Sequence, residues 1–444
     1  MKGYPVQKTV QKADKPGHKI TLQNSCPYHD FSSEAQVLKI YQHIFSNRYH
    51  FRYKLPIEWS KSQCRVVKVV RTRKLFRVLD YVPLLLGGLA TFGGWLGAAA
   101  IYDAFPGKRL DTLTRLRLQG CVAIAIMGKY VIAEHFLICV KYEDEVYNGI
   151  NMLLQLYKEQ KARDYGDKDE ENLKIPRDPV CIVMKFFMLI SHYFLPIGLL
   201  VYLVMEMDPP IHILYLVHRK VPFLHKVTSL FINQFIFRII SFFNRYIICL
   251  LISLEIARGI CFSCYVIIFG GRMFNAVQGI ISRTVQFARM DSIRGYRQIR
   301  LILAVVRPAQ SQGCAVGTFI LTVFSILLKY IFIVTLRTGG PFYALRFLTW
   351  VTISVDATLF QALRVGGKFG TGAALLLAKF KKTASHIVRD RSSLKLFRKE
   401  FATVQVTGMP LAVGQFTLCY TSPAVTMAIA GFILDQTVNL IMSV

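Results

Sequence analysis

The sequence predicts an all-α membrane protein, a bundle of seven transmembrane helices, and three observations carry that expectation. Of its 444 residues 53% are hydrophobic and only 18% are charged, against about 25% charged in ordinary soluble domains. The mean hydropathy is positive, +0.39. The apolar residues gather into runs long enough to cross a bilayer core, which takes about 20 residues of helix. So much apolar surface excludes a disordered chain, and size excludes a small disulfide scaffold. The net charge of +29 invites a nucleic-acid reading. The basic residues sit between the apolar runs, however, as they do in multi-span membrane proteins. The expected partner is therefore the lipid membrane and not nucleic acid.

The runs place seven spans at 79–102, 120–140, 179–207, 246–270, 315–336, 343–365 and 418–442. Span 2 contains Lys129 and Glu134, and span 6 contains Arg346, Asp356 and Arg364. The stretch 223–244 is apolar but broken by His225, Lys226, Asn233 and Arg238. It suits an amphipathic helix at the interface or an extension of span 4, with an eighth span as the other option. Residues 1–78 are polar and basic with no early apolar segment, so no signal peptide is expected. Lys61, Arg65, Lys68, Arg71, Arg73, Lys74 and Arg77 precede span 1, whereas Lys108, Arg109, Arg115 and Arg117 follow it. That bias puts the N-terminal segment 1–78 in the cytoplasm. Seven spans then leave the C-terminus outside, and 366–417 becomes a long cytoplasmic segment.

No soluble-enzyme motif stands: there is no P-loop, GxGxxG, HExxH or GxSxG. No catalytic residue, cofactor or metal is expected. Most of the ten cysteines lie in spans, and Cys261 and Cys264 form a CxxC inside an apolar helix with no second pair, which suits buried small side chains. Cys121 and Cys249, near outer ends of spans, are the pair that topology would allow to meet. Gly93 and Gly97 have the small-xxx-small spacing that lets helices approach closely in lipid.

Ionisable groups in spans are costly and face protein or water. Glu255 and Arg258, at i and i+3, are placed to pair. Arg346 and Arg364 can snorkel from the ends of span 6, while Asp356 lies deeper. In span 7, Ile429, Phe432 or Ile433, Gln436, Asn439 or Leu440, and Ser443 fall along one stripe, with Asp435 beside it. Amides and a hydroxyl among aliphatics suit a pore wall, where aliphatics exclude water and amides ease ion passage. The competing reading is that these groups bond neighbouring helices.

The layout resembles the arthropod odorant and gustatory receptor superfamily. Tyr296-Arg297-Gln298-Ile299-Arg300 is similar to a stretch found between spans 4 and 5 of that family, and Met207-Asp208-Pro209-Pro210 to a start of the loop after span 3. Met409-Pro410-Leu411, Val413-Gly414-Gln415-Phe416, Thr426 and Asp435-Gln436-Thr437-Val438-Asn439-Leu440 resemble divergent members from springtails. The chain departs from the gustatory signature, since Met427 follows Thr426 and Ile433 stands where that signature differs. The resemblance implies a chemosensory receptor in the plasma membrane, acting as one subunit of a tetrameric ligand-gated cation channel, homomeric or with related subunits. It implies a pore lined by span 7, with Phe432, Ile433, Asp435, Gln436, Asn439, Leu440 and Ser443 as candidates. It also implies a cytoplasmic anchor at the inner ends of spans 4 to 7, with the inner half of a broken seventh helix within 366–417. A pocket for a small, lipophilic or volatile ligand is implied in the outer halves of spans 2 to 6. Candidates there, chosen as aromatic walls and a few orienting polar groups, are Met127, Lys129, His192, Tyr193, Glu255, Tyr330, Tyr343 and Trp350.

Two rival classes fit less well. A G-protein-coupled receptor needs a DRY-like triplet after span 3 and an NPxxY-like motif in span 7, and neither is present. A transporter would favour internal repeats and helices interrupted at matching positions, and the sequence shows no repeat.

Overall fold

The computed structural model describes residues 81–105, 110–165, 179–193, 195–284, 290–339, 342–387, 408–413 and 416–442, the pairs of strands at 57–60 and 65–68, and Val37, Ile40, Tyr41, 43–47 and Lys395 upstream and between. A short antiparallel hairpin comes first, β1 (Ile57–Ser60) with β2 (Arg65–Lys68). The bundle follows. α1 is Val82–Ala104 and α2 is Thr112–His135, which continues through a π-helical turn, Phe136–Lys141. α3 is Glu143–Tyr165, α4 Pro179–Tyr193 and α5 Leu195–Val204. α6 is Pro209–Lys220 and α7 His225–Asn233. Three long helices come next: α8 (Phe235–Thr284), α9 (Met290–Arg337) and α10 (Phe342–Ile387). A second hairpin, β3 (Pro410–Val413) with β4 (Phe416–Tyr420), leads into α11 (Pro423–Met442). The end of the bundle carrying the α1–α2 turn is called upper below, and the opposite end lower.

Among the described residues, six stretches are long and apolar enough to cross a membrane: Val82–Ala104, Leu113–Lys141, Leu195–Lys220, Phe235–Phe262, Ile293–Arg337 and Pro423–Met442. Predicted spans 1, 2, 4, 5 and 7 fall on five of them. Predicted span 6 falls on α10, which is not among them. Predicted span 3 falls on α4 and α5, but the qualifying stretch is Leu195–Lys220. That stretch is not one straight helix, because Glu206 adopts a φ of 54° in the turn between α5 and α6. Residues 235–244 form the first turns of α8, continuous with span 4, and 225–233 form the separate α7. Predicted span 7 starts too early, because Leu418–Tyr420 belong to β4. Helix α11 begins after Ser422, whose hydroxyl accepts the Val425 N–H at 3.2 Å, with Pro423 in its first turn. A side-chain oxygen at the cap and a proline just inside are strong helix starts.

α8, α9 and α10 have 50, 48 and 46 residues. At 1.5 Å per residue each is about 70 Å long, more than twice the roughly 30 Å of a hydrocarbon core. Their lower halves therefore need another way to bury apolar surface. They do so against one another and α3, in the largest core among the described residues. Leu153, Leu154 and Tyr157 of α3, Met273 and Val277 of α8, Tyr296 and Ile299 of α9, and Phe369 and Leu376 of α10 meet there. The Tyr296–Arg300 motif is thus part of this core, with Tyr296 and Ile299 fully buried. The stretch 366–387 of the predicted cytoplasmic segment continues α10. The broken seventh helix expected within 366–417 lies outside the described residues, apart from that stretch, Lys395 and the β3–β4 hairpin.

α1 and α2 pack backbone to backbone. A Cβ on Gly94 would lie 2.6 Å from the Cys121 carbonyl oxygen, and one on Gly128 would lie 2.6 Å from that of Gly87. A Cβ on Gly93, by contrast, would meet nothing within 4 Å. The close-approach positions are Gly87 and Gly94, two turns apart, with Gly97 turned to Pro209 instead. The expected Gly93–Gly97 pair is therefore not the contact.

The N-terminal segment holds a departure. Val37, Tyr41, Ile44 and Phe45 are buried against Cys181, Met184 and Met188 of α4 and Leu254 and Cys261 of α8. These residues, with Ile40, stand at i, i+3, i+4, i+7 and i+8, the apolar stripe of an amphipathic helix. The stripe is too short for a span and sits in a polar, basic surround, so the run-length criterion passes over it.

Candidate ligand pocket and pore-facing helix

Four helices converge at mid-bundle. Met127 of α2 is buried with Phe324 and Leu328 of α9, and Leu348, Val351 and Val355 of α10 and Ile256 and Ile260 of α8 close around them. Trp350 lies on α10 between Leu348 and Val351, and its ring meets Phe186 of α4 edge-on, centroids 4.9 Å apart. Glu255 adjoins Ile256 on α8 and is buried, its carboxylate 3.4 Å from Arg258 Nε. His192 and Tyr193 end α4 with rings 5.0 Å apart, and Phe45 of the N-terminal segment lies 6.2 Å from His192. Tyr330 is buried on α9. For Tyr343 only the backbone position in α10 is described.

Of the predicted residues, Met127 is the one whose contacts place it in this convergence. Trp350 turns to Phe186 of α4, Glu255 stands about 100° around α8 from Ile256, and Lys129 lies outside it as well. Two residues from Met127 is about 200° around a helix. Lys129 is exposed on the far side of α2, its ammonium 5.4 Å from the centre of the Trp95 ring of α1. Sequence reasoning missed Phe186, Phe324, Leu328, Leu348, Val351 and Val355. Their signal was periodic, 324 and 328 at i, i+4 and 348, 351 and 355 at i, i+3, i+7, but such spacing marks any buried helix face.

A polar triad joins α9 to α10. Lys329 Nζ donates to both Asp356 oxygens, at 2.6 and 2.8 Å, and to Ser325 Oγ at 2.6 Å. Ser325 in turn donates to Asp356 Oδ1. Each hydrogen-bonding group finds a partner, which is how an ion pair persists among apolar helices. At the upper end, Arg245 holds Asp208 in a two-pronged pair, with Nε 2.7 Å from Oδ2. Asp208 is fully buried at the start of α6, followed by Pro209 and Pro210. The Met207–Pro210 motif is therefore the turn that Arg245 locks in place. Among the described residues, no group of three or more His, Cys, Asp or Glu is placed to hold a metal. Cys121 and Cys249 are both buried free thiols.

α11 has two unlike faces. Ile433 and Thr437 are buried, and Ile429 and Ile433 pack with Leu321 and Ile326 of α9, Leu359 and Leu363 of α10, and Tyr130 of α2. Ile433 therefore departs from the predicted pore stripe: its own chain covers it. The other face is exposed, with Leu434, Val438 and Met442 open; Phe432 on the flank and Leu440, which follows Ile433 by seven residues on the same side of the helix, are exposed too. Along the open face Asp435 accepts hydrogen bonds from Gln436 Nε2 at 3.1 Å and Asn439 Nδ2 at 3.3 Å. Gln436 is half-buried, at the border of the two faces. Ser443 lies outside the described residues.

A bundle of long apolar helices with a pendant last helix defines the class: the fold is that of the insect olfactory receptors. The structure of the insect olfactory receptor OR5 from Machilis hrabei superposes with a TM-score of 0.51 at 11% identity, covering 91% of this chain and 96% of that one. The structure of that receptor in complex with eugenol superposes with a TM-score of 0.55 at 10% identity, covering 94% of this chain and 100% of the other. No family model and no curated protein matches the sequence.

Proposed function

We propose that the chain is a chemosensory receptor subunit, an odorant- or gustatory-type ligand-gated channel for cations. In this reading it crosses the plasma membrane seven times, α10 included, with the N-terminus cytoplasmic and the C-terminus outside. Four copies, or copies with related subunits, surround a pore faced by α11. The observation that carries it is end-to-end likeness of fold to an insect olfactory receptor, over 91% of this chain and 96% of that one.

The two faces of α11 support the pore. In lipid or against another protein, an exposed apolar face is stable, whereas in water it is a liability. Asp435 makes the potential beside it negative, which favours cations over anions. The convergence around Met127 supports the pocket, because Phe324 and the surrounding aliphatic side chains of α8, α9 and α10 offer apolar walls. The OR5 structure with eugenol makes a small aromatic alcohol a sensible first ligand to try. A bound ligand opens the channel only if it binds the open form more tightly than the closed one.

The test is current. Cells expressing the chain, alone and with a related subunit, are given eugenol and a panel of small lipophilic molecules under voltage clamp. The reading requires a ligand-evoked cation current in at least one arm. Surface expression without such a current in either arm would overturn it.

A further inference from the structure

A cleft of about 410 Å³ opens at the upper end of the bundle, away from the convergence around Met127. One wall is the last turn of α1, with Ala100, Ile101, Ala104 and Phe105, and across from it stand Tyr215 of α6 and Ile232 of α7. Arg117, Glu206 and Arg219 line it as well. The volume lies within the range of about 300–1,000 Å³ usual for small-molecule sites, and apolar walls with a few placed polar groups are the usual lining.

The charges do not cancel. Arg117 is spent on Glu206, 2.7 Å away, and on the Met205 carbonyl oxygen at 3.2 Å. Lys220, next along α6, is spent on Asp103 at 3.2 Å. Arg219 gives one hydrogen bond, to the Ala100 carbonyl oxygen at 3.3 Å, and no carboxylate lies within ion-pairing reach of it among the described residues. Its guanidinium carries five N–H donors in a planar fork that matches a carboxylate. Arg219 is exposed at the mouth of the cleft, where a ligand's negative charge can meet it while an apolar body lies against the wall.

We propose that this cleft binds a small monocarboxylate with an aryl or alkyl body, separately from the mid-bundle pocket. The carboxylate lies on Arg219 and the body against Ile101, Ala104 and Phe105. Because α1, α2, α6 and α7 all contribute walls, an occupant ties the first two helices to the elbow after α5.

The test uses the full chain in nanodiscs of phosphatidylcholine only, so that no anionic lipid supplies the charge. Binding of phenylacetate and of its neutral isostere phenylacetamide is followed by titration calorimetry. Phenylacetate should saturate, with the amide weaker by about tenfold or more, the scale of a charge-assisted hydrogen bond. Arg219→Gln should erase that preference, Arg219→Lys should keep part of it, and Ala104→Phe should abolish binding of both by filling the cleft. Tyr330→Ala, in the bundle, should leave both affinities unchanged. Thermal unfolding of each variant shows that it is folded. Equal affinity for the two probes, no saturable binding of phenylacetate, or binding unchanged in both Arg219→Gln and Ala104→Phe would overturn the proposal.

Discussion

Glu255 and Arg258 place two opposite charges inside the bundle, and each is about as buried as a side chain can be. Attraction between them offsets the desolvation of both only while both are present. Arg258→Leu should therefore destabilise the fold by about 3–5 kcal/mol, since it removes one partner of a buried ion pair. Replacing both by leucine should recover most of that loss, because two apolar side chains of similar volume bring no stranded charge. Thermal unfolding in detergent measures this. A double variant no more stable than Arg258→Leu would mean that the pair matters through its other contacts. The same logic applies to Asp208, fully buried under Arg245. Arg245→Ala should lower the unfolding temperature, and Asp208→Asn added to it should raise it again.

At the scale of elements, the α1–α2 contact depends on absent side chains. A methyl at Gly94 or Gly128 would press on the partner's backbone at 2.6 Å, where there is no flexible tip to move aside. Overpacking costs typically about 1–3 kcal/mol, and separating two backbones costs more than shifting one side chain. Gly94→Leu should thus reduce surface expression and unfolding temperature sharply, whereas Gly93→Leu, facing open space, should leave both near the wild-type values. A cell-surface assay of the two variants side by side reads the difference. The sequence pointed to glycine packing in this helix and to the wrong register within it. A repeat of small residues shows that helices approach but not which face does, because Gly87, Gly88, Gly93, Gly94 and Gly97 give several registers. Predicted spans 1, 2, 4 and 5 were otherwise legible, since a bilayer's thickness writes itself into run length. The Val37–Phe45 stripe and the β3–β4 hairpin were not: neither is a long run, and both are fixed by tertiary contacts with distant helices. The candidate pocket was legible in part for the same reason. An aromatic such as Trp350 stands out by type, but whether Lys129 shares its side of the bundle depends on helix rotation.

At the scale of the whole molecule, the proposed topology and the pore each give a prediction. Epitopes fused to the two ends should behave oppositely: an N-terminal tag stained only after permeabilisation, a C-terminal tag on intact cells. Surface staining of the N-terminal tag would remove the channel reading.

The pore prediction follows from the two faces of α11. Ile433 and Thr437 are covered by the same chain, and Thr437 spends its hydroxyl on the Ile433 carbonyl oxygen at 2.7 Å. Neither can face water in an assembly without the helix leaving α9 and α10. Leu434, Asp435, Val438 and Asn439 stand on the opposite face, where a central axis would lie in the proposed tetramer. Val438, exposed on that face, is the aliphatic candidate for a dry constriction, because rings of apolar side chains too narrow for hydrated ions exclude them; Leu440, predicted for that role, stands seven residues after Ile433 and so on the same side of the helix as Ile433. Single cysteines placed from 432 to 442 and treated with a charged thiol reagent should block ligand-evoked current with a period of three to four residues. Block is expected among 434, 435, 438 and 439 and absent at 433 and 437. Val438→Ser should add a leak without ligand, by wetting the closed constriction, while Gln436→Ala should change ion preference more than gating, since the amide contributes a dipole and no net charge. Block at 433 and 437 with none at 435 or 439 would mean that α11 turns its other side to the pore. Block at none of these positions would take the pore away from α11 altogether.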